Sequence, residues 1–271
     1  MFEAIDRIFI MSDLDGTLLP SDKILSQKDR VAVERFRRDG GRFAFATGRT
    51  LQSAMQYIKE LSIDQPVILY NGAAVYDPVK EKILHLSPLP KEALSYTKTI
   101  LEKFPSVGAE VLRPDGTYIV NVNSYEKEHA AYCSVPPIYC TLDEVPEGDW
   151  LKVLFALSPE ELEKLALYAA KQNFKGISFV RSEAIFYEML PEGVSKGRAL
   201  ETCRALPNLN GLTIVAAGDY HNDLELVQNA DFGAAPANAQ ACVKAAADYV
   251  LSASNDEGAI AELISVLYSK I

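Results

Sequence analysis

Two carboxylates one residue apart, Asp13 and Asp15, follow a short apolar run, Ile-Phe-Ile-Met at 8–11. Such a run, bounded by turn chemistry, reads as a buried strand. Open α/β sheets bind ligands at the carboxyl ends of their strands. Followed by Gly16-Thr17, the pair concentrates negative charge on one tight turn unless a cation or a proton offsets it. That combination suits a nucleophile, a proton donor and a metal site held together.

Other strand ends carry compatible chemistry. Thr47-Gly48 with Arg49, Asn71-Gly72, and Asp219 with Asp223 close further apolar runs, and Lys196 stands at a helix start in Gly193-Val194-Ser195-Lys196-Gly197. Acidic oxygens suit Mg²⁺, a hard cation. A lysine, a threonine hydroxyl and free N–H groups at helix starts suit a phosphoryl group. Together they point to phosphoryl transfer, where positioning and charge neutralisation supply most of the acceleration.

Each residue also has a plainer reading. A calcium-loop reading from Asp13 requires glycine and glutamate where Leu18 and Ile24 stand, so it fails. A nucleotide-sugar D-x-D chelate remains open on Asp13 and Asp15 alone. A paired-carboxylate glycosidase leaves Lys196 and Thr47 without a task. Lys196 alone reads as a solvated lysine where the helix dipole disfavours a cation, and Asp223 as an ordinary first-turn acid. Asn71-Gly72 is also a simple turn. Arg49 divides evenly between a substrate contact and a surface cap.

The elements that must position these residues follow from periodicity. A helix over 26–38 capped by Ser26, a strand over 42–46, a helix over 50–61 and a strand over 66–70 give β-α-β-α-β, the pattern of a doubly wound parallel sheet. The rhythm then changes. A hairpin over 75–86, a helix over 91–104, and strands over 108–112, 118–122, 151–157, 177–180 and 185–189 with helices between them fit an α+β module. The first rhythm returns with a helix over 195–205, a strand over 212–216, a helix over 223–230, a strand over 232–235, and helices over 239–247 and 257–270. One module is inserted into the other.

The totals narrow the setting. A length of 271 residues allows one large domain or two modest ones. A net charge of −10 argues against non-specific nucleic-acid binding. No apolar run reaches the ~20 residues of a membrane span. The first residues lack a cationic signal-peptide start. Cys133, Cys140, Cys203 and Cys242 form no C-x-x-C pair and read as free thiols of a reducing, cytoplasmic compartment.

Asp13-Leu14-Asp15-Gly16-Thr17-Leu18, Ala46-Thr47-Gly48, Lys196 and Gly218-Asp219-Tyr220-His221-Asn222-Asp223 occur in order, each at an element boundary. In these four motifs the chain resembles the haloacid dehalogenase (HAD) superfamily of phosphohydrolases, across the whole core. The pairing of Thr47-Gly48-Arg49 with the Gly218–Asp223 motif, and the long insertion, are similar to the Cof-type subclass IIB with its C2B cap. The resemblance implies an α/β fold. Its HAD-like Rossmannoid core would be 1–84 and 190–271, and its inserted α+β cap 85–189.

It further implies Asp13 as nucleophile and Asp15 as general acid, then base. Mg²⁺ would be held by Asp13, the Asp15 main-chain carbonyl and Asp219. Thr47 and Lys196, with Leu14 and Gly48, would bind the phosphoryl group. Asn222 and Asp223 would complete the metal or phosphate shell, and Arg49, Asn71 and Gly72 are candidate substrate contacts. The implied activity is a Mg²⁺-dependent phosphatase of small phosphomonoesters, sugar phosphates foremost, working as a monomer or small homo-oligomer. A sugar phosphomutase with the same nucleophile and a non-catalytic sugar-phosphate sensor remain alternatives.

Overall fold

The computed structural model describes residues 4–133 and 135–271. The first strand, β1 (Ile8–Asp13), is buried at every position, as a strand covered on both faces must be. It runs past Met11, so Asp13 is its last residue. α1 (Gln27–Arg38) begins where the Ser26 side chain accepts the Asp29 N–H, and α2 (Leu51–Glu60) where Thr50 accepts the Ser53 N–H. Each cap satisfies a donor that the first turn leaves unpaired. β2 (Arg42–Ala46) precedes α2 and β3 (Val67–Leu69) follows it; β4 (Ala74–Asp77) and β5 (Lys82–Leu86) then turn back antiparallel.

The inserted segment holds α3 (Ala93–Lys103), β6 (Gly108–Arg113), β7 (Gly116–Asn121), α4 (Ser124–Tyr132), β8 (Ile138–Tyr139), β9 (Lys152–Ala156), α5 (Pro159–Ala169), β10 (Ile177–Glu183) and β11 (Phe186–Pro191). The chain then returns through α6 (Lys196–Arg204), β12 (Thr213–Ala217), α7 (Leu224–Asn229), β13 (Phe232–Ala235), α8 (Ala241–Ala246), β14 (Tyr249–Val250) and α9 (Ala259–Ser269).

The core sheet has eight strands in the order β14-β13-β12-β1-β2-β3-β4-β5, parallel from β14 through β3. Chain order reverses at β1, with β12 on one side and β2 on the other. Such a switch point opens a crevice outside the carboxyl ends of the strands, and Asp13 stands at its edge. The inserted sheet has six strands, β10-β11-β9-β6-β7-β8, antiparallel except for the β7–β8 pair. Its faces alternate along each strand. Val111, Val153, Phe155 and Met189 pack with Ile100 of α3 and Leu162 and Leu165 of α5. Glu110, Leu112, Lys152, Leu154, Phe186 and Glu188 face the crevice instead.

The expected borders at 84/85 and 189/190 each fall inside a strand. β5 stays in the core sheet to Leu86, and the Ser87 N–H still donates to the Ala73 carbonyl at 2.8 Å. β11 stays in the inserted sheet to Pro191, opposite Ile177. Hydropathy does not reveal where an outer strand stops pairing. The two-residue strands β8 and β14 are too short for a periodic signal. The helix expected over 223–230 opens with a 3-10 turn, His221–Asp223, before α7. Among the described residues, no helix is long and apolar enough to cross a membrane.

Candidate active site

Three carboxylates meet at the carboxyl edge of β1 and β12. Oxygens of Asp13, Asp219 and Asp223 lie within 4.8 Å of one another. Lys196, the first residue of α6 and 1% exposed, reaches between two of them. Its Nζ lies 2.5 Å from Asp13 Oδ1 and 2.6 Å from Asp223 Oδ1. One cation does not balance three acids. Burial, then the Asp223 charge, raises Asp13 well above the usual carboxylate range against the pull of Lys196. Burial and Asp223 likewise push Asp219 up to about 7. Burial disfavours the Lys196 charge, but Asp13 and Asp223 outweigh it and raise its pKa. Asp223 also accepts the N–H groups of Asp219 and Tyr220, at 3.0 and 3.2 Å, which fixes the turn after β12. Thr17 Oγ1 donates to Asp219 Oδ1 at 3.0 Å.

Asp15 faces the opposite way. Arg49 grips it with two bonds, Nε to Oδ2 at 2.7 Å and Nη2 to Oδ1 at 2.8 Å. Lys23 adds a contact at 3.0 Å. Burial alone would raise this carboxyl; the Arg49 bonds and charge, with Lys23, outweigh it and hold it well below the usual range. Asp15 is thus an anion in this arrangement, with its side chain outside the three-acid cluster. Arg49 itself is held by its acid and still lines the crevice.

The remaining expected residues divide. Thr47, Gly48, Lys196 and Asn222 line the crevice with the acids. The Leu14 side chain is fully buried in the core, which leaves only its main chain for a ligand. Asn71, a candidate substrate contact, has other partners. Its Nδ2 donates to Glu188 Oε2 at 2.5 Å, and its Oδ1 accepts Asn222 Nδ2 at 3.0 Å. Gly72 packs on the start of α6: its φ is +104°, and a Cβ there would lie 2.2 Å from the Ser195 carbonyl oxygen. Its role is to let Lys196 approach, since only glycine tolerates both the conformation and the contact. Asn222 Oδ1 is buried without a partner and available to a ligand.

The inserted sheet supplies charges that do not stand at carboxyl strand ends. Lys152 Nζ donates to the Gly48 carbonyl at 2.8 Å and pairs with Glu188 Oε2 at 3.0 Å. Ser182 Oγ donates to Glu188 Oε1 at 2.5 Å. Glu110 faces His129 of α4 at 3.3 Å. Burial disfavours the His129 charge, but Glu110 outweighs it and raises the imidazole pKa well above its ordinary value. Cys133, expected inside the inserted module, lies beside this histidine and lines the crevice. One signal was available. Glu110, Lys152 and Glu188 each interrupt an otherwise apolar strand, in Gly-Ala-Glu-Val-Leu, Leu-Lys-Val-Leu-Phe and Phe-Tyr-Glu-Met-Leu. Charges are rarely buried unless paired, so three of them within apolar runs mark a shared polar face.

A Mg²⁺ ion fits the three-acid cluster. Its donors are hard oxygens, and three acids face the single Lys196 ammonium.

Known proteins resemble this chain along its length. Residues 10–264 match the family model described as haloacid dehalogenase-like hydrolase. YxeH of Bacillus subtilis strain 168 is 30% identical over 270 residues, covering 94% of this chain and 97% of that protein. The 5-amino-6-(5-phospho-D-ribitylamino)uracil phosphatase YitU of the same organism is 27% identical, covering 96% and 97%. A haloacid dehalogenase-like hydrolase from Bacteroides thetaiotaomicron superposes with a TM-score of 0.82 at 25% identity, over 96% of this chain and 98% of that one.

Proposed function

The chain belongs to the haloacid dehalogenase-like hydrolases, and from that premise we propose that it is a Mg²⁺-dependent phosphatase of small phosphomonoesters, sugar phosphates in particular. The observation that carries this reading is Lys196 Nζ set between Asp13 and Asp223, at 2.5 and 2.6 Å, beside Asp219. Acids alone would repel a phosphate dianion, and a cation among them gives its oxygens a partner.

Asp13 is the nucleophile: its carboxylate oxygen attacks phosphorus, the ester oxygen leaves, and an aspartyl-phosphate remains on Asp13. The Asp13 oxygens, the Asp15 main-chain carbonyl and Asp219, with Asp223 behind them, would hold Mg²⁺. When bound, it neutralises charge between the carboxylate and the phosphoryl group. Lys196 and the Thr47 hydroxyl take the phosphoryl oxygens, and Asn222 Oδ1 is free to accept from the substrate. Asp15, held anionic by Arg49 and Lys23, is set for the second half, taking a proton from the water that cleaves the acyl phosphate. Protonation of the leaving alkoxide requires that this grip loosen, so Arg49 tunes the acid step.

The inserted sheet roofs the crevice and acts as a cap. The phosphoryl group occupies the core acids, so the leaving group faces Glu110, Lys152, Phe186 and Glu188. Charged and hydroxyl-seeking groups of this kind discriminate by hydrogen bonds. The sugar reading is supported by that polar roof and by YitU, whose name describes the phosphate of a ribitylamino compound. A phosphate-release screen over sugar phosphates, nucleotides and cofactor phosphates, with Mg²⁺ and with EDTA, tests the proposal. Turnover of a sugar phosphate that stops on chelation is expected. Full activity in excess EDTA after dialysis, or release of phosphate from none of the panel, overturns it.

A further inference from the structure

The inserted sheet and α4 enclose a second cluster of ligating atoms, away from Asp13. Glu110 of β6 and Glu126 and His129 of α4 each offer one atom, all within 4.8 Å of one another. Glu126 and His129 are three residues apart, so they share one helix face. A Glu-x-x-His pair projecting inward from a helix is a recurrent way to hold a metal. α4 reaches β6 through residue 108: a Cβ on Gly108 would lie 2.7 Å from Glu126 Cβ. Asn123 docks the start of the helix by donating to the Ala156 carbonyl at 2.8 Å.

The cluster is unsatisfied. Glu126 is fully buried, and neither carboxylate oxygen has a hydrogen-bond partner. Glu110, 1% exposed, sets Oε1 against His129 Nδ1 at 3.3 Å, an ion pair in which neither atom makes a well-formed hydrogen bond. Buried polar atoms are nearly always partnered, and two buried carboxyls side by side repel unless a proton or a cation joins them. His129 is oriented from behind: Nε2 lies 3.4 Å from Cys133 Sγ, and its ring meets Phe186 edge-on at 4.8 Å. Nδ1 thereby faces the Glu110 carboxylate, as a metal ligand positioned by its outer contacts does.

We propose that Glu110, Glu126 and His129 form a second metal site, in the cap, for a divalent transition ion of the Zn²⁺ or Co²⁺ type. Two carboxylates and an imidazole suit such ions better than Mg²⁺, which prefers oxygen alone. Three protein ligands leave a coordination position open, and Glu110 and His129 both line the crevice.

Stoichiometry tests the site without reference to turnover. Chelator-treated full-length protein is dialysed against Co²⁺ with Mg²⁺ in large excess, and bound cobalt is counted while its visible absorption is recorded. One equivalent with a d–d band is expected, and it persists in Asp219→Asn, which weakens the core cluster. Glu126→Gln, confirmed folded by circular dichroism, weakens Co²⁺ binding more than about 100-fold, since even an outer contact of a ligand is worth about 10–100-fold. Wild-type protein that retains no cobalt overturns the proposal and leaves a shared proton as the occupant. So does a folded Glu126→Gln that binds like wild type.

Discussion

The crevice has two walls, and they carry charge in different ways. On the core wall, acids stand at strand ends or on the turns just beyond them, and fixed cations answer them: Lys196 for Asp13 and Asp223, Arg49 and Lys23 for Asp15. On the cap wall, Glu110 and Glu188 stand in the middle of strands, and Lys152 opens one beside them. A strand end can lend main-chain groups and reach water. A mid-strand charge depends on whatever the neighbouring strand or helix offers. Lys152 and Glu188 found each other; Glu126 found no hydrogen-bond partner. Under the proposed function, chemistry that must not change sits on the core wall, and recognition that can change sits on the cap wall.

The largest effect should come from Asp13→Asn. An amide is no nucleophile, so kcat falls on the order of 10⁴-fold or more, while the thermal melt shows an intact fold. Steady-state hydrolysis of p-nitrophenyl phosphate measures it. If a tenth of the activity survives, the core wall is not where covalent chemistry happens.

Paired lysine variants test the contrast directly. Lys196→Met should lower kcat by about 10²–10³-fold, the usual worth of one donor to a developing charge. Lys152→Met should keep kcat on p-nitrophenyl phosphate within about tenfold and instead reorder the sugar-phosphate panel by kcat/KM. Both lose about 3–5 kcal/mol of stability in denaturant titration, because each leaves a buried acid unpaired. Equal kcat losses would erase the distinction between the walls.

That pair also shows what was legible. The parallel core could be read because its apolar runs alternate with capped helices, and Asp13, Lys196 and Asp219 because each sits where such a run ends. Lys152 is not legible because it opens β9, at the end opposite the carboxyl ends where ligands bind, and its meaning depends on Glu188, 36 positions away and adjacent only once β9 and β11 pair. The partners of Asn71 are hidden for a related reason. Its type suits a ligand, but its partners, Glu188 and Asn222, come from distant parts of the chain. The border near Leu86 could not be read, since pairing in β5 leaves no compositional mark.

A double variant should sharpen the cap-wall account. Lys152→Met with Glu188→Leu removes both charges, and apolar replacement of a buried pair is often neutral. Stability should return to within about 1 kcal/mol of wild type, while the altered substrate ranking persists. Stability that stays at the single-variant level would mean the pair is not independent of Asn71 and Ser182.

The smallest effect is a pH-dependent one in the cap. Burial, then the Glu110 charge, pushes Glu126 up to about 8. Its unfolded value is about 4.3, so between these limits the unfolded chain has released a proton that the folded one keeps. Stability then falls as pH rises across that window. In EDTA, Glu126→Gln should melt a few degrees above wild type at pH 7.5, and the gain should shrink towards pH 4.5. A gain independent of pH would point to packing rather than charge.

Leu112, Leu154 and Phe186 of the cap are buried within the apolar cluster of the core, while the polar links across the seam, such as Lys152 to the Gly48 carbonyl, can be exchanged for water at a net cost of only about 0.5–1.5 kcal/mol each. Under the proposed function, closure of the cap leans on apolar contact, which weakens on cooling. Temperature should act on this molecule through its lid as well as its chemistry. Chilled protein would spend more time open, so KM should climb in the cold while the rate of the bound complex follows an ordinary Arrhenius line.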